Sequence, residues 1–280
     1  MITAGSVLLA LAVQAGPALP PVSELLDCAR EADITLVAVH RAGGFAPGIP
    51  ENSLAGLRRS AELGAAFAEI DLRETADGHI VLMHDPTLER TTTGDGEVSA
   101  MTLAELRELH LLDAQGHRTR ERIPTLDEAF AAAREYGLFL ELDLKGIDPA
   151  RAAQLAVDAG MAAQSLIIVY DVPAATPVQA VSTEIGISLP FTDHYTVLDS
   201  ELDFAPLVSW VGYGIPDART EAFLTGQRVE TAMHDFPGEA DGTIDYALID
   251  QLHVELLASD DPEAAVEAFG RWTLYCGLAD

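Results

Sequence analysis

Basic residues are scarce in this chain. Lys and Arg total 16 against 45 acidic residues, a formal charge of −29 at pH 7. So acidic a surface repels nucleic acid and anionic membranes, and neither is expected as a partner. It offers no diffuse attraction for a phosphorylated molecule either. Any bound anion needs a local cluster of positive charge or a metal ion. Of the 16 basic residues 15 are Arg, and Lys145 is the one Lys. Cysteine is nearly absent: Cys28 and Cys276 stand near opposite ends, and no CxxC or Cys/His spacing suits zinc. In a closed barrel the first and last elements are neighbours, so the two could pair as a disulfide; two separate thiols are the alternative. No internal repeat, low-complexity tract or linker is visible. Past the N-terminus no apolar run is long enough to span a membrane, so stable membrane insertion is not expected.

The opening MITAGSVLLALAVQAGPALPP is apolar over roughly the length of a signal peptide, and Val13-Gln14-Ala15 offers a small-x-small cleavage site, although the stretch holds no Lys or Arg. The expectation is a signal peptide over 1–20, one domain over 28–280, and a periplasmic or secreted location. The alternative is a greasy N-terminal helix on a cytoplasmic protein.

What the chain does have is enough apolar sequence for a large core: 49% of 280 residues. Eight strand-like runs alternate with helical patterns: 34–39, 67–72, 138–144, 166–170, 185–190, 207–213, 227–233 and 252–258. Helical spacing covers 52–64, 102–112, 125–136 and 149–163, and Thr102 with Glu105 has capping-box spacing. Alternating units predict a mainly parallel sheet, and eight of them predict an α/β fold of the (β/α)8 TIM-barrel type; an open doubly wound sheet is the alternative. A ninth run, 79–83, follows the second strand too closely for a helix to intervene. With Asp77-Gly78 as a two-residue turn it forms a β-hairpin extension after strand two, and that register sets His84 opposite Asp71.

Barrel chemistry gathers at the C-terminal ends of strands. Strand one ends in His40-Arg41, strand two carries Glu69 and Asp71 on one face, the hairpin returns to His84-Asp85, and the third barrel strand ends in Asp143 and Lys145. Acids facing a barrel interior need counter-charge. A hard cation with oxygen ligands, Mg2+ or Ca2+, supplies it; a salt-bridge network with Arg41 and Lys145 is the alternative. Two histidines beside such a site suit proton transfer near neutral pH, and Arg and Lys suit a phosphoryl oxyanion. From the residues alone the reading reaches phosphoester chemistry. Lys145 is a compact charge whose pKa burial can lower, which Arg cannot imitate.

The ordered set His40-Arg41, Pro50-Glu51-Asn52-Ser53, Glu69-x-Asp71, Val81-x-x-His84-Asp85, Arg90-Thr91-Thr92-Thr93-Gly94-Asp95-Gly96 and Ile123-Pro124-Thr125-Leu126-Asp127 closely resembles the glycerophosphodiester phosphodiesterase family. The resemblance implies the same barrel and a phosphoric diester hydrolase that releases glycerol 3-phosphate and an alcohol from a small glycerophosphodiester. It implies His40 and His84 as the acid/base pair, Glu69 and Asp71 as ligands of a divalent metal, Arg41 as a phosphate contact, and Glu51 as a supporting residue. The usual mechanism of that family passes through a cyclic phosphate.

Two departures stand out. The family's E-x-K, with Glu as third ligand, is here Asp143-Leu144-Lys145. That leaves Asp143 the third ligand, Lys145 the group that reaches the phosphate or the nucleophile, and Glu141, deeper on the same face, a second supporting residue. D-x-K resembles the sphingomyelinase D phospholipases, so lysophospholipids are an alternative substrate; a barrel that binds diesters without turnover is a further alternative. The C-terminal half resembles the family only loosely, and Trp210, Tyr213, Met233 and His234 are candidates for the wall of the alcohol pocket.

Overall fold

The computed structural model describes residues 19–43, 46–191, 195–198 and 200–276. Residues 1–18, which carry most of the signal-peptide expectation, lie outside that set. The strands are β1 (Leu36–Val39), β2 (Phe67–Glu74), β3 (Ile80–Leu82), β4 (Phe139–Leu144), β5 (Ser165–Ile168), β6 (Gly186–Leu189), β7 (Leu207–Tyr213), β8 (Glu230–His234) and β9 (Leu256–Ser259). Eight of them pair in parallel in the order β1-β9-β8-β7-β6-β5-β4-β2, and a β1–β2 pairing closes the ring. This is the TIM barrel that the alternation predicts. Parallel strands are covered on both faces, which is why β1 (LVAV) and β6 (GISL) are buried at every position.

Helices start where a short polar side chain can take the first free N–H groups. Ser53, Asp148 and Asp217 do so, and Thr102 and Thr125 form full capping boxes with Glu105 and Glu128. Two helices are shorter than their periodicity suggests. The 102–112 pattern gives a helix only over Leu103–Leu106, because Leu111 instead buries in a small cluster with Val81, Met83 and Leu88 and bridges to Thr92. Tertiary burial there overrides local period. The 149–163 pattern ends at Asp158; Gly160 takes φ 66° and a 3-10 turn, Ala162–Gln164, leads into β5.

β3 does form the expected hairpin on β2, but one register step away. Pairs run Leu72↔Leu82, Arg73↔Val81 and Glu74↔Ile80, and Met83, not His84, lies opposite Asp71. The loop holds three residues rather than two. Gly78 N–H donates to Thr75 at 3.1 Å and Gly78 adopts φ 85°, so an ordinary turn is followed by a left-handed glycine.

The N-terminal end of the barrel is plugged by the helix Val22–Ala32, whose Val22, Leu25, Leu26 and Ala29 pack against Phe67, Phe139 and Trp272. Cys28 of this helix is joined by a disulfide to Cys276, with Cα atoms 5.8 Å apart. Nearby Glu255 is 2% exposed, accepts the Thr231 N–H at 2.7 Å, and is pushed up to about 8 by burial.

The cross-link closes nearly the whole chain, so replacing both cysteines by Ala is expected to cost about 2–5 kcal/mol. A denaturant midpoint equal to that of the oxidised wild type would contradict this. Glu255 titrates well above an ordinary Glu, so its proton stabilises the folded state fully below the unfolded pKa, and that contribution is lost as pH rises towards about 8. Glu255→Gln is therefore expected to raise Tm at pH 8.5 and to leave it nearly unchanged at pH 5. Equal shifts at both pH values would show that its protonation does not matter.

Candidate active site

The acids of β2 and β4 are set by strand register. Parallel pairing puts Glu69 beside Glu141 and Asp71 beside Asp143. Alternate residues share a face, so the four carboxylates point into the barrel while Ile70, Leu72, Leu140 and Leu142 pack outward under the helices. Glu69, Asp71 and Glu141 are at most 4% exposed. Oxygens of Glu69, Asp71 and Asp143 lie within 4.8 Å of one another. Three hard oxygen donors at that spacing can hold a metal ion, and the chemistry fits Mg2+ or Ca2+.

Lys145, at the end of β4, puts Nζ 3.1 Å from Asp71 and 2.5 Å from Asp143. Burial works against the ammonium, but the hydrogen bond to Asp143 and the charge of Asp71 outweigh it and hold the pKa above its usual value. The sequence argument that burial lowers it is thus reversed: two neighbouring carboxylates win, and Lys145 stays charged. Arg41 does not enter the acid cluster by its guanidinium, which lies 3.4 Å from Glu51; its backbone N–H donates to Glu69 at 2.6 Å. Among the described residues, the Lys145 ion pairs therefore compensate Asp71 and Asp143, and neither Lys145 nor the Arg41 guanidinium pairs with Glu69 or Glu141. Burial, then the Asp71 charge, pushes Glu69 well up, and burial, then Asp143, pushes Glu141 up to about 8.

The turn after β1 is built to present these groups. Arg41 and Ala42 take φ of 51° and 53°, costly for residues with side chains. Three contacts hold the turn: Arg41 N–H to Glu69, Asn52 N–H to the Arg41 carbonyl at 2.7 Å, and close approach of Gly56, where a Cβ would lie 2.0 Å from the Ala42 oxygen. Asn52 also grips Asp71 twice: its amide donates to Oδ2 at 2.7 Å and its Oδ1 accepts the Asp71 N–H at 3.0 Å.

Each candidate histidine has its Nδ1 against an aspartate: His40 with Asp260 at 2.6 Å, His84 with Asp85 at 2.7 Å. Such a partner fixes the ring and leaves Nε2 for the site. His40 Nε2 is 4.0 Å from Glu69. Asp85 is held well below the usual carboxylate range, chiefly by Arg90, which donates to it at 2.6 Å and forms a bidentate pair with Glu51 at 2.8 Å. Glu51 thus links Arg41 to Arg90, Asp85 and His84. Arg73 ties the same region together by donating to the carbonyls of His84 and Lys145.

Beside the acids lies a cavity of about 260 Å3 whose lining includes His40, Glu69, Glu141, Asp143, Tyr170, Trp210, His234 and Phe236. Rings of His40, Phe236, His234 and Trp210 stack in a column, with successive centroids 4.3, 4.2 and 5.3 Å apart. Burial, then the nearby His40, holds His234 below the usual histidine pKa. Tyr170 donates to Asp143 at 3.0 Å. Two of the four pocket candidates, Trp210 and His234, line the cavity. Met233 does not: strand alternation turns it away, into a core cluster with Val37, Val39 and Leu257. The Tyr213 side chain lies outside the described structure.

The sequence reading missed several parts. Asp260 follows β9, 220 residues from His40, and nothing local marks it. Asn52, Asp85 and Arg90 all sit inside motifs quoted for other members, and their own roles appear only as hydrogen bonds.

The family model "Glycerophosphoryl diester phosphodiesterase family" matches residues 40–218. The chain is 40% identical to the bovine glycerophosphodiester phosphodiesterase 1 over 131 residues, 45% of this chain and 38% of that protein. It is 40% identical to a glycerophosphodiester phosphodiesterase of Caldanaerobacter subterraneus subsp. tengcongensis over 112 residues, 40% of this chain and 45% of that one. The aligned stretches thus span less than half the length of these relatives. A solved glycerophosphoryl diester phosphodiesterase from Parabacteroides distasonis superposes with a TM-score of 0.78 at 29% identity, covering 87% of this chain and 90% of that one. With the barrel, the acid pairs and the matched span all agreeing, the chain belongs to the glycerophosphoryl diester phosphodiesterase family.

Proposed function

We propose that this chain is a metal-dependent phosphodiesterase that hydrolyses glycerophosphodiesters to glycerol 3-phosphate and an alcohol. The observation that carries the reading is the meeting, in one mouth, of three carboxylates within 4.8 Å of one another and two histidines braced by aspartates. Glu69, Asp71 and Asp143 would hold a divalent ion, Mg2+ or Ca2+. Such an ion would neutralise charge on the phosphodiester and lower the pKa of a hydroxyl beside it. His40 and His84 divide the proton transfers through their Nε2 atoms: one takes the proton from the substrate hydroxyl next to phosphorus, the other protonates the departing alcohol oxygen. The new P–O bond forms as the old one breaks, leaving a cyclic phosphate that water opens with the proton roles reversed. Lys145, kept as an ammonium, and Arg41 bind phosphate oxygens. Glu51 and Arg90 hold Arg41 and the His84 pair in place.

A second reading, lysophospholipids as substrate, draws support from one observation. Tyr170, in the connection after β5, is 64% exposed, and Tyr195 and Leu198, on the one-turn helix Tyr195–Leu198 after β6, are 69% and 53% exposed, on the rim where an acyl chain would lie. We further propose that the chain is exported, since the Cys28–Cys276 disulfide suits an oxidising compartment.

Rates on glycerophosphocholine and on lysophosphatidylcholine, each with Mg2+, Ca2+ or EDTA, test these readings together. Expected are turnover of the glycerophosphodiester, loss in EDTA, and a fall of about 100-fold or more in kcat for both His40→Ala and His84→Ala. Wild-type rates in either variant would refute the two-histidine assignment. Faster cleavage of the lysolipid would favour the second reading, and tight diester binding without product would mean a binding barrel instead.

A further inference from the structure

Glu141 has no part in the reactions above, yet it is the least comfortable residue in the barrel. It lies on β4 one inward position deeper than Asp143, in register with Glu69. It is 1% exposed, and neither of its carboxylate oxygens has a hydrogen-bond partner. An unpaired carboxylate in that position destabilises the fold, and an apolar side chain of similar size would pack there at no such cost. The neighbouring cation does not relieve it, because the Lys145 ammonium is engaged by Asp71 and Asp143 at the outer end of the cluster. Glu141 nevertheless lines the same cavity as His40, Glu69 and Asp143. A partner that holds it as a carboxylate must therefore be positive and must arrive from the cavity.

We infer that Glu141 is a fourth carboxylate of the cation site, an inner oxygen donor that biases the site towards Ca2+ over Mg2+. The inference rests on the reading that Glu69, Asp71 and Asp143 bind a divalent ion. Ca2+ accepts six to eight oxygen ligands in flexible geometry, whereas Mg2+ keeps several waters and is usually held by one or two carboxylates. Four acids on two adjacent strands form a more negative, donor-rich bowl than Mg2+ uses.

The test is calorimetric titration of the cation-free protein with CaCl2 and, separately, MgCl2, at fixed pH and ionic strength and without substrate. Wild type is compared with Glu141→Gln and Asp143→Asn, and melting in EDTA checks that each is folded. If Glu141→Gln does not fold, Glu141→Met replaces it. Expected for the Glu141 variant are a Ca2+ affinity weakened about tenfold or more, a reduced Ca2+/Mg2+ ratio, and a higher Tm without cation. A Ca2+ affinity changed less than threefold in the Glu141 variant, with binding lost in Asp143→Asn, would overturn the inference while leaving the three-carboxylate site intact. No Ca2+ or Mg2+ binding by the wild type would overturn both.

Discussion

Parallel pairing of β2 with β4 sets two acids beside two acids inside a barrel, and most of what surrounds them answers that placement. Glu69 stands beside Glu141 and Asp71 beside Asp143, with Glu69, Asp71 and Glu141 almost fully removed from water. Like charges in a low-dielectric interior repel strongly. The fold supplies partial relief: Lys145 against Asp71 and Asp143, the Asn52 amide on Asp71, and the Arg41 N–H on Glu69. What it does not supply is a second positive side chain inside the cluster among the described residues. The remaining negative charge is the physical case for a divalent ion, and it explains why the turn after β1 accepts two left-handed residues to bring one N–H to Glu69.

The two histidines are braced alike. Asp260 arrives from the loop after β9 and Asp85 from the hairpin return, so the last and nearly the first parts of the barrel each contribute a carboxylate to an imidazole Nδ1. Behind Asp260, Glu239 accepts its backbone N–H at 2.7 Å; behind Asp85, Arg90 reaches on to Glu51 and so to Arg41. Rotation of either ring would break a hydrogen bond that is itself anchored. Such outer supports make a site precise rather than merely present. The ring column from His40 to Trp210 adds an apolar wall on one side, so His40 borders both the acids and the cavity beside them.

The strands were legible because parallel barrel strands are short, apolar and punctuated, and all eight runs coincide with strands to within a few residues. That Glu69 and Asp71 share one face of β2, and Glu141 and Asp143 one face of β4, follows from alternation alone. The hairpin register was not legible: Asp77-Gly78 serves a two-residue and a three-residue turn equally well, and the difference moves His84 by one place. Met233 and His234 could not be told apart as pocket candidates without knowing which face of β8 points inward. Asp260 was hidden for a different reason. Its contact with His40 depends on closure of the barrel, which no local pattern encodes, and it lies beyond the stretch where family motifs are dense.

The cation site is the claim on which the account turns, and it can be observed without turnover. Crystals grown in MnCl2, with anomalous scattering recorded near the manganese edge, would locate a bound ion directly. Expected is one strong peak bounded by the carboxylates of Glu69, Asp71 and Asp143. No peak there at saturating Mn2+, with Lys145 still bridging Asp71 and Asp143, would show that the acids are a closed ion-pair network and would contradict it.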